Sequence, residues 1–382
     1  MRVFLNTPIG KTLLYIALII FAVGVVYRLF GWFIKNVGTG DKSIPVSRRI
    51  FNGIQGVLLS IFSVKIFYII KSLILDGVLQ LRILIDRKDV LAWIMHICIF
   101  AGGVPLLIFH ALQLPANYST LDPFMFLRNL FGVIFIAGLV LAIIRRAAVM
   151  KGRIRTGAGD IFIIFILLVI FITGFVLEGA KINSFAEYKR MEKKYSAARD
   201  TKESKALEAY WVKKYSIVSP KIKEPVAADL LALGEKVNNK SCLSCHTEPQ
   251  SAFLSFGISK VLKSSSAKWD KAGVNTALLY IHAIACLFLL AYLPFSKMFH
   301  LISTPISLVV AEVAEKKQEE ANIAIRQAIE LDGCSHGGAC HEDCPVRKKR
   351  DERINKTEQF SGAFNYVSSK SYKDLGSREF KS

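Results

Sequence analysis

The sequence predicts an all-α integral membrane protein of about six transmembrane helices, with a mostly helical extracytoplasmic insertion ahead of the last one. Three observations lead there. Of 382 residues, 52% are hydrophobic and 26 are Phe, which is more apolar than a soluble domain of this length. Several apolar runs reach or approach the ~20 residues that carry a helix across a bilayer. The formal charge is +20, and its basic residues lie mainly between and after those runs. That is the pattern of membrane loops, and it argues against a nucleic-acid-binding face.

Taken in order, the first run covers Leu13–Phe33. It lacks the layout of a cleavable leader and is expected to be retained. The second begins near Ile54 and is interrupted by Lys65 and Lys71. The third is Val90–Leu112, the fourth Leu127–Ile144 and the fifth Ile161–Leu177. A polar segment, Glu178–Val274, precedes the sixth run, Thr276–Phe295. A charged stretch with helical character, Ala311–Leu331, then leads into a short Cys/His cluster and a Lys-, Arg- and Ser-rich tail. The chain divides on this reading into 1–85, 86–178, 179–275, 276–307 and 308–382.

Loop charge gives an orientation. Arg145–Arg155 reads RRAAVMKGRIR, short and densely basic, and belongs in the cytoplasm. Pro115–Pro123 carries no Lys or Arg and belongs outside. Glu178–Val274 is then extracytoplasmic and the C-terminus cytoplasmic. This scheme also sets Arg28–Arg49 outside, although that loop is basic. The expected location is the cytoplasmic membrane of a prokaryote, with multiple passes and the polar insertion in the periplasm.

Within the insertion, Cys242-Leu243-Ser244-Cys245-His246 reads C-x-x-C-H, the signature of covalent c-type haem attachment. Two thiols add to the haem vinyl groups and the adjacent His ligates the iron. Such attachment occurs outside the cytoplasm, in agreement with the loop charges. The run GEKVNNKSCLSCH resembles the opening of a small class I cytochrome c. Only about 30 residues then remain before the sixth run, and none is Met. Met191 is the single Met of the insertion and His246 its single His. The sixth iron ligand is therefore Met191, a Lys, a residue of a partner, or none.

Four further histidines lie in two helices, two in the third span and two in the sixth. His96 and His110 are 14 residues apart, nearly four helical turns or ~21 Å, so they share a face. His282 and His300 are 18 residues apart, five whole turns or ~27 Å, so they too share a face. In the orientation above the third run points outward and the sixth inward. His110 then shares a depth with His282 on the outer side, and His96 with His300 on the inner side. Two stacked bis-His sites are the arrangement of a dihaem cytochrome b, which makes the helices a haem-b-binding bundle. Gly103, seven residues from both His96 and His110, is placed to let the helix approach a porphyrin. The alternative is interhelical hydrogen bonding. Four matched histidines favour ligation, because ionisable groups in a membrane are costly and usually functional. Bis-His iron has no open position, so electron transfer is the expected chemistry.

These two spans, together with HLISTP (His300–Pro305), resemble the gamma subunit of respiratory nitrate reductase. They are more similar to the cytochrome b subunits of sulfate-reducer membrane complexes that pair with a heterodisulfide-reductase-like iron–sulfur protein. The likeness covers roughly Asp89–Ser307. It implies two haems b, menaquinol or another quinone exchanged near the outer haem, and a cytoplasmic iron–sulfur subunit as partner. The nitrate-reductase branch has closer His spacing on its earlier helix and lacks the C-x-x-C-H insertion.

The cytoplasmic run DGCSHGGACHEDCP holds Cys334, His336, Cys340, His341 and Cys344. Thiolate and imidazole at this density suit zinc or an iron–sulfur cluster, although C-x5-C-x3-C is no standard spacing. A tail of reduced thiols or a docking surface is the alternative. The function expected is an electron-transfer subunit rather than a complete enzyme. It links the quinone pool, or a periplasmic cytochrome c, to the iron–sulfur partner through two haems b and one haem c. A haem-based redox sensor and a nitrate reductase gamma subunit are the alternatives.

Overall fold

The computed structural model describes residues 2–5, 7–34, 44–85, 89–112, 120–149, 157–223, 225–313 and the separate positions 325, 328, 329 and 332. Among them are helices, turns and no strand. Five helices are long and apolar enough to cross a membrane: Pro8–Ile34, Val90–Leu112, Phe124–Ile144, Ala158–Asn183 and Val274–Tyr292. They are apolar around most of their circumference, so one side can meet lipid while the other packs on neighbours. A helix also satisfies its own backbone, which lipid cannot do. Large side chains such as Ile19, Tyr27, Leu107 and Ile161 are accordingly exposed. The protein is an all-α integral membrane protein.

The second expected span is not a straight helix. Val46–Ile61 and Lys65–Val78 are long and apolar enough for a span only as a pair, bent by 96° at the break. The Ser63 hydroxyl accepts from the Lys65 N–H at 3.2 Å and starts the second limb. The crossing helices therefore number five among the described residues, or up to six if the bent pair is one span.

The last expected span also differs. Pro294 has no N–H to donate, and the α-helix ends at Tyr292. A 3-10 turn, Leu293–Phe295, follows; Ser296 is extended, with ψ 172°, and its hydroxyl accepts from Met298 N at 3.1 Å. A second 3-10 turn, Lys297–Phe299, leads into a new helix, His300–Val313. His300 therefore opens a helix instead of closing one, and the count of five continuous turns from His282 does not hold. Beyond Val313 the described positions 325, 328, 329 and 332 are helical.

The chain forms two compact units. One comprises the described residues up to Tyr15 with Cys98–Leu139 and Phe162–Leu289. In it, Gly102 and Gly138 let two helices touch: a Cβ on Gly102 would stand 2.6 Å from Phe135 N, and one on Gly138 2.8 Å from Ile99 N. Gly103 faces the Phe135 ring, where a Cβ would meet Cε2 at 3.2 Å, so here this glycine serves helix packing. Phe135 stacks on Phe171 at 4.0 Å, and Phe4 meets Tyr280 edge-on at 5.0 Å. The insertion belongs to this unit. Asp200 caps Thr201–Tyr215 by accepting from Glu203 N at 2.7 Å, while Glu203 accepts from Arg199 N at 2.7 Å, a reciprocal cap. Its core gathers Tyr188, Leu207, Trp211, Tyr215, Ile217, Val237 and Cys242.

The other unit comprises Ile16–Ile97, Val140–Ile161 and the described residues from Leu290 onward. Trp32 packs on Phe299, with Ile325, Ala328 and Ile329 against both. Asp332 pairs with Arg28 at 2.8 Å and accepts from Trp32 Nε1 at 2.8 Å. Arg49 donates to the Phe33 carbonyl at 3.4 Å, a cation on a helix C-terminus. The sequence scheme set Arg28–Arg49 on the side opposite His300. These contacts place the end of the first helix beside Phe299, on the His300 side.

Candidate cofactor sites

The first unit brings His110 and His282 together, with ring centres 6.5 Å apart and planes at 33°. His110 Nδ1 donates to the Leu106 carbonyl at 2.8 Å, one turn back on its own helix. His282 Nδ1 donates to the Ile170 carbonyl at 3.0 Å and also lies 3.2 Å from Thr173 Oγ1. A carbonyl only accepts, so the proton sits on Nδ1 and Nε2 carries the lone pair, the tautomer a metal-bound imidazole needs; on His282 that lone pair faces the Cys286 thiol at 3.8 Å, a weak donor that a metal would displace. Gly174 gives the His282 ring room: a Cβ there would lie 3.3 Å from His282 Cε1.

The second unit brings His96 and His300 together at 6.4 Å, with planes at 82°. His300 Nδ1 donates to the Lys297 carbonyl at 2.7 Å, which again frees Nε2. Lys297 reaches Asp160 Oδ2 at 2.8 Å, and the same oxygen accepts from Gly157 N at 3.1 Å. Asp89 Oδ1 accepts from Ala92 N at 2.9 Å and starts the His96 helix, while its Oδ2 pairs with Arg145 at 2.6 Å.

A bond of about 2.0–2.1 Å from metal to imidazole nitrogen, plus about 1.1 Å from nitrogen to ring centre, sets two ligands of one ion about 6.3 Å apart. Both pairs stand at that spacing. Direct hydrogen bonding between the rings would bring them closer. The residues of each pair would fit a metal-bearing group held between two imidazoles.

At the C-x-x-C-H run, Ala228–Ser241 ends in a turn: Cys245 N and His246 N both donate to the Cys242 carbonyl, at 3.0 and 2.9 Å. Cys242 is buried and Cys245 exposed. Burial pushes the Cys242 thiol up and the His246 imidazole down from their ordinary values. The His246 ring meets Trp211 edge-on at 5.5 Å, and Trp211 Nε1 donates to Asn238 Oδ1 at 2.9 Å. Met191 packs against the same apolar core as Cys242. The turn is tied to the chain ahead of the Phe124–Ile144 helix. Thr120 Oγ1 donates to the Cys245 carbonyl at 2.5 Å, Thr247 N to the Thr120 carbonyl at 3.0 Å, and Asp122 N to Thr247 Oγ1 at 3.1 Å.

Cys334, Cys340, His341 and Cys344 lie outside the described residues. Among those described, no group of three or more His, Cys, Asp or Glu gathers as a metal centre. Three features escaped the sequence: the carbonyl acceptors of the histidines, the Asp160–Lys297 pair, and a buried polar node. In that node Glu178 accepts from Arg128, from Asn129 Nδ2 at 3.0 Å and from Ser255 Oγ at 2.7 Å. Only the node had a signal, since Glu178 follows an apolar run and Arg128 lies inside one.

The chain is similar over 126 residues to the E subunit of dihydromethanophenazine:CoB–CoM heterodisulfide reductase from Methanosarcina thermophila, at 32% identity, and from Methanosarcina acetivorans, at 31%. The match covers 30% of this chain and 47% of each relative. The corresponding protein of Methanosarcina barkeri matches at 29%. The chain thus spans about half the length of the curated relatives it matches. No family model and no solved structure matches it.

Proposed function

We propose that the chain is the membrane cytochrome b/c subunit of a respiratory quinone oxidoreductase complex. His110 and His282 would hold an outer haem b and His96 and His300 an inner one. Cys242 and Cys245 would anchor a haem c ligated by His246, with Met191 as candidate sixth ligand. When bound, the haems supply one-electron chemistry between a quinone or periplasmic carrier and a cytoplasmic iron–sulfur partner. Cys334, Cys340, His341 and Cys344 are candidates to hold an iron–sulfur cluster or zinc on that route. The protein itself orients the imidazoles and carries the thiols.

The observation that carries this reading is the equal spacing of the two His pairs, 6.5 and 6.4 Å between ring centres. The matched relatives add a second support, since each is one subunit of a larger reductase. For orientation, the packing of Trp32 on Phe299 supports setting Arg28–Arg49 on the same side as Arg145–Arg155. With that side in the cytoplasm, both short basic loops obey the positive-inside bias, which does not extend to an insertion as long as Glu178–Val274.

Haem content per chain tests the reading. In a host competent for cytochrome assembly, one covalent and two extractable haems are expected. His110→Ala and His300→Ala should each remove one extractable haem. A chain with no extractable protohaem, or a double variant that keeps both, overturns the proposal.

A further inference from the structure

The two His pairs have nearly the same spacing but different ring angles, 33° for His110–His282 and 82° for His96–His300. We propose that the ion pair between the buried Asp160 carboxylate and the partly exposed Lys297 side chain is a positioning device that holds the His300 ring crosswise to His96 and so makes the inner haem electronically unlike the outer one. This inference rests on the haem-binding reading above.

The chain of support is short. Asp160 lies in the first turn of Ala158–Asn183, and its side chain is 3% exposed. Its Oδ2 also accepts from Gly157 N at 3.1 Å, which restrains the carboxylate. Lys297 Nζ closes on that same oxygen at 2.8 Å. Lys297 is also the first residue of the 3-10 turn whose carbonyl accepts from His300 Nδ1. The ion pair therefore fixes the residue whose main chain sets the direction of the imidazole. That hydrogen bond joins the ring to the turn at 2.7 Å, so a shift of the turn reorients the ring. Outer-shell partners of this kind orient metal-bound histidines and tune the metal.

The ring angle has an electronic consequence. Each imidazole donates π density into the iron d orbital perpendicular to its ring. Two crossed rings raise both such orbitals alike and leave them nearly degenerate, which gives a ferric low-spin centre of strong magnetic anisotropy. Two rings closer to parallel split the orbitals and give a rhombic signal. Axial-ligand arrangement is one of the levers by which a protein tunes haem.

The test is low-temperature electron paramagnetic resonance on the full chain in membranes, with haem content measured in parallel. The wild type should show one strongly anisotropic b-type signal, lost in His300→Ala, and one rhombic signal, lost in His110→Ala. Asp160→Asn keeps the cap on Gly157 N and removes only the ion pair. It should convert or shift the anisotropic signal, leave the rhombic one in place and keep both haems. Lys297→Met, which retains the main-chain carbonyl, should do the same. The reversed pair, Asp160→Lys with Lys297→Asp, should restore the signal in part. Two haems whose anisotropic signal ignores both single variants, or two signals of one type, overturn this inference alone. A chain without extractable haem overturns it together with the reading beneath it.

Discussion

His282 and Gly174 are in contact: a methyl group added to Gly174 would sit 3.3 Å from His282 Cε1. The ring is thereby caught between the Ala158–Asn183 helix and His110, with Nδ1 on the Ile170 carbonyl. An added side chain must displace the ring, because that hydrogen bond leaves it nowhere to rotate without loss.

Gly174→Leu should therefore weaken the outer site selectively. Overpacking of this size costs about 1–3 kcal/mol, enough to lower haem occupancy at His110–His282. Extractable haem should fall from two per chain toward one, with the His96–His300 signal unchanged. Equal loss from both sites would show a general folding defect.

At the C-x-x-C-H turn, attachment and ligation are separable. His246→Ala should keep the covalent haem, since Cys242 and Cys245 remain, but lose the low-spin c-type spectrum. Cys242→Ala with Cys245→Ala should abolish the peroxidase stain of the denatured chain. A stain that survives the double Cys variant would rule this segment out as the attachment site.

The haem-free chain, made without cytochrome maturation, should have a stability plateau set by two buried groups of the turn. His246 is held below its ordinary value by burial, so the unfolded chain takes up the proton first. Its contribution is present above the unfolded value of about 6.5 and is lost as pH falls below it. Cys242 is raised by burial, so its contribution is present below the unfolded value of about 8.5 and is lost as pH rises. Fluorescence melts against pH, with Trp211→Phe as the blank, should peak between those limits. In the same preparation Cys245, the exposed thiol, should alkylate before Cys242. Simultaneous alkylation would contradict the burial of Cys242.

The apolar helices were legible because lipid demands uniform hydrophobic length, and that signal survives any detail of packing. The His pairing was legible from spacing and loop charge, yet part of its derivation was not. The count of turns from His282 to His300 assumed a straight helix, and Pro294 and Ser296 break it. His300 still meets His96 because the Lys297–Phe299 turn redirects the chain, a three-dimensional compensation that no period encodes. Gly103 was read as facing a porphyrin from its phase alone; phase names a face but not its neighbour, and the neighbour is Phe135. The basic Arg28–Arg49 loop was placed by counting crossings. One bent pair, Val46–Ile61 with Lys65–Val78, was enough to upset the count.

The Glu178 node gives the last prediction. Asn129 and Ser255 are fully buried, and Asn129 Oδ1 accepts from Ser255 N at 3.0 Å while Glu178 takes the remaining donors. Glu178→Ala strands the Ser255 hydroxyl and the Arg128 guanidinium. Leaving such groups unpaired costs about 1–3 kcal/mol each when buried, and Arg128 and Glu178 retain 17% and 23% side-chain exposure, so water recovers part of it. A net loss of about 2–3 kcal/mol is expected in detergent melts. Glu178→Gln keeps an acceptor for two of the three donors and should cost about half as much. Because Ser255 lies in the Phe253–Leu262 helix, the loss should loosen the insertion before the apolar bundle, so protease should cut near that helix first. Equal melting of the Ala and Gln variants would mean that the carboxylate charge, and not the geometry of its acceptors, holds the insertion to the bundle.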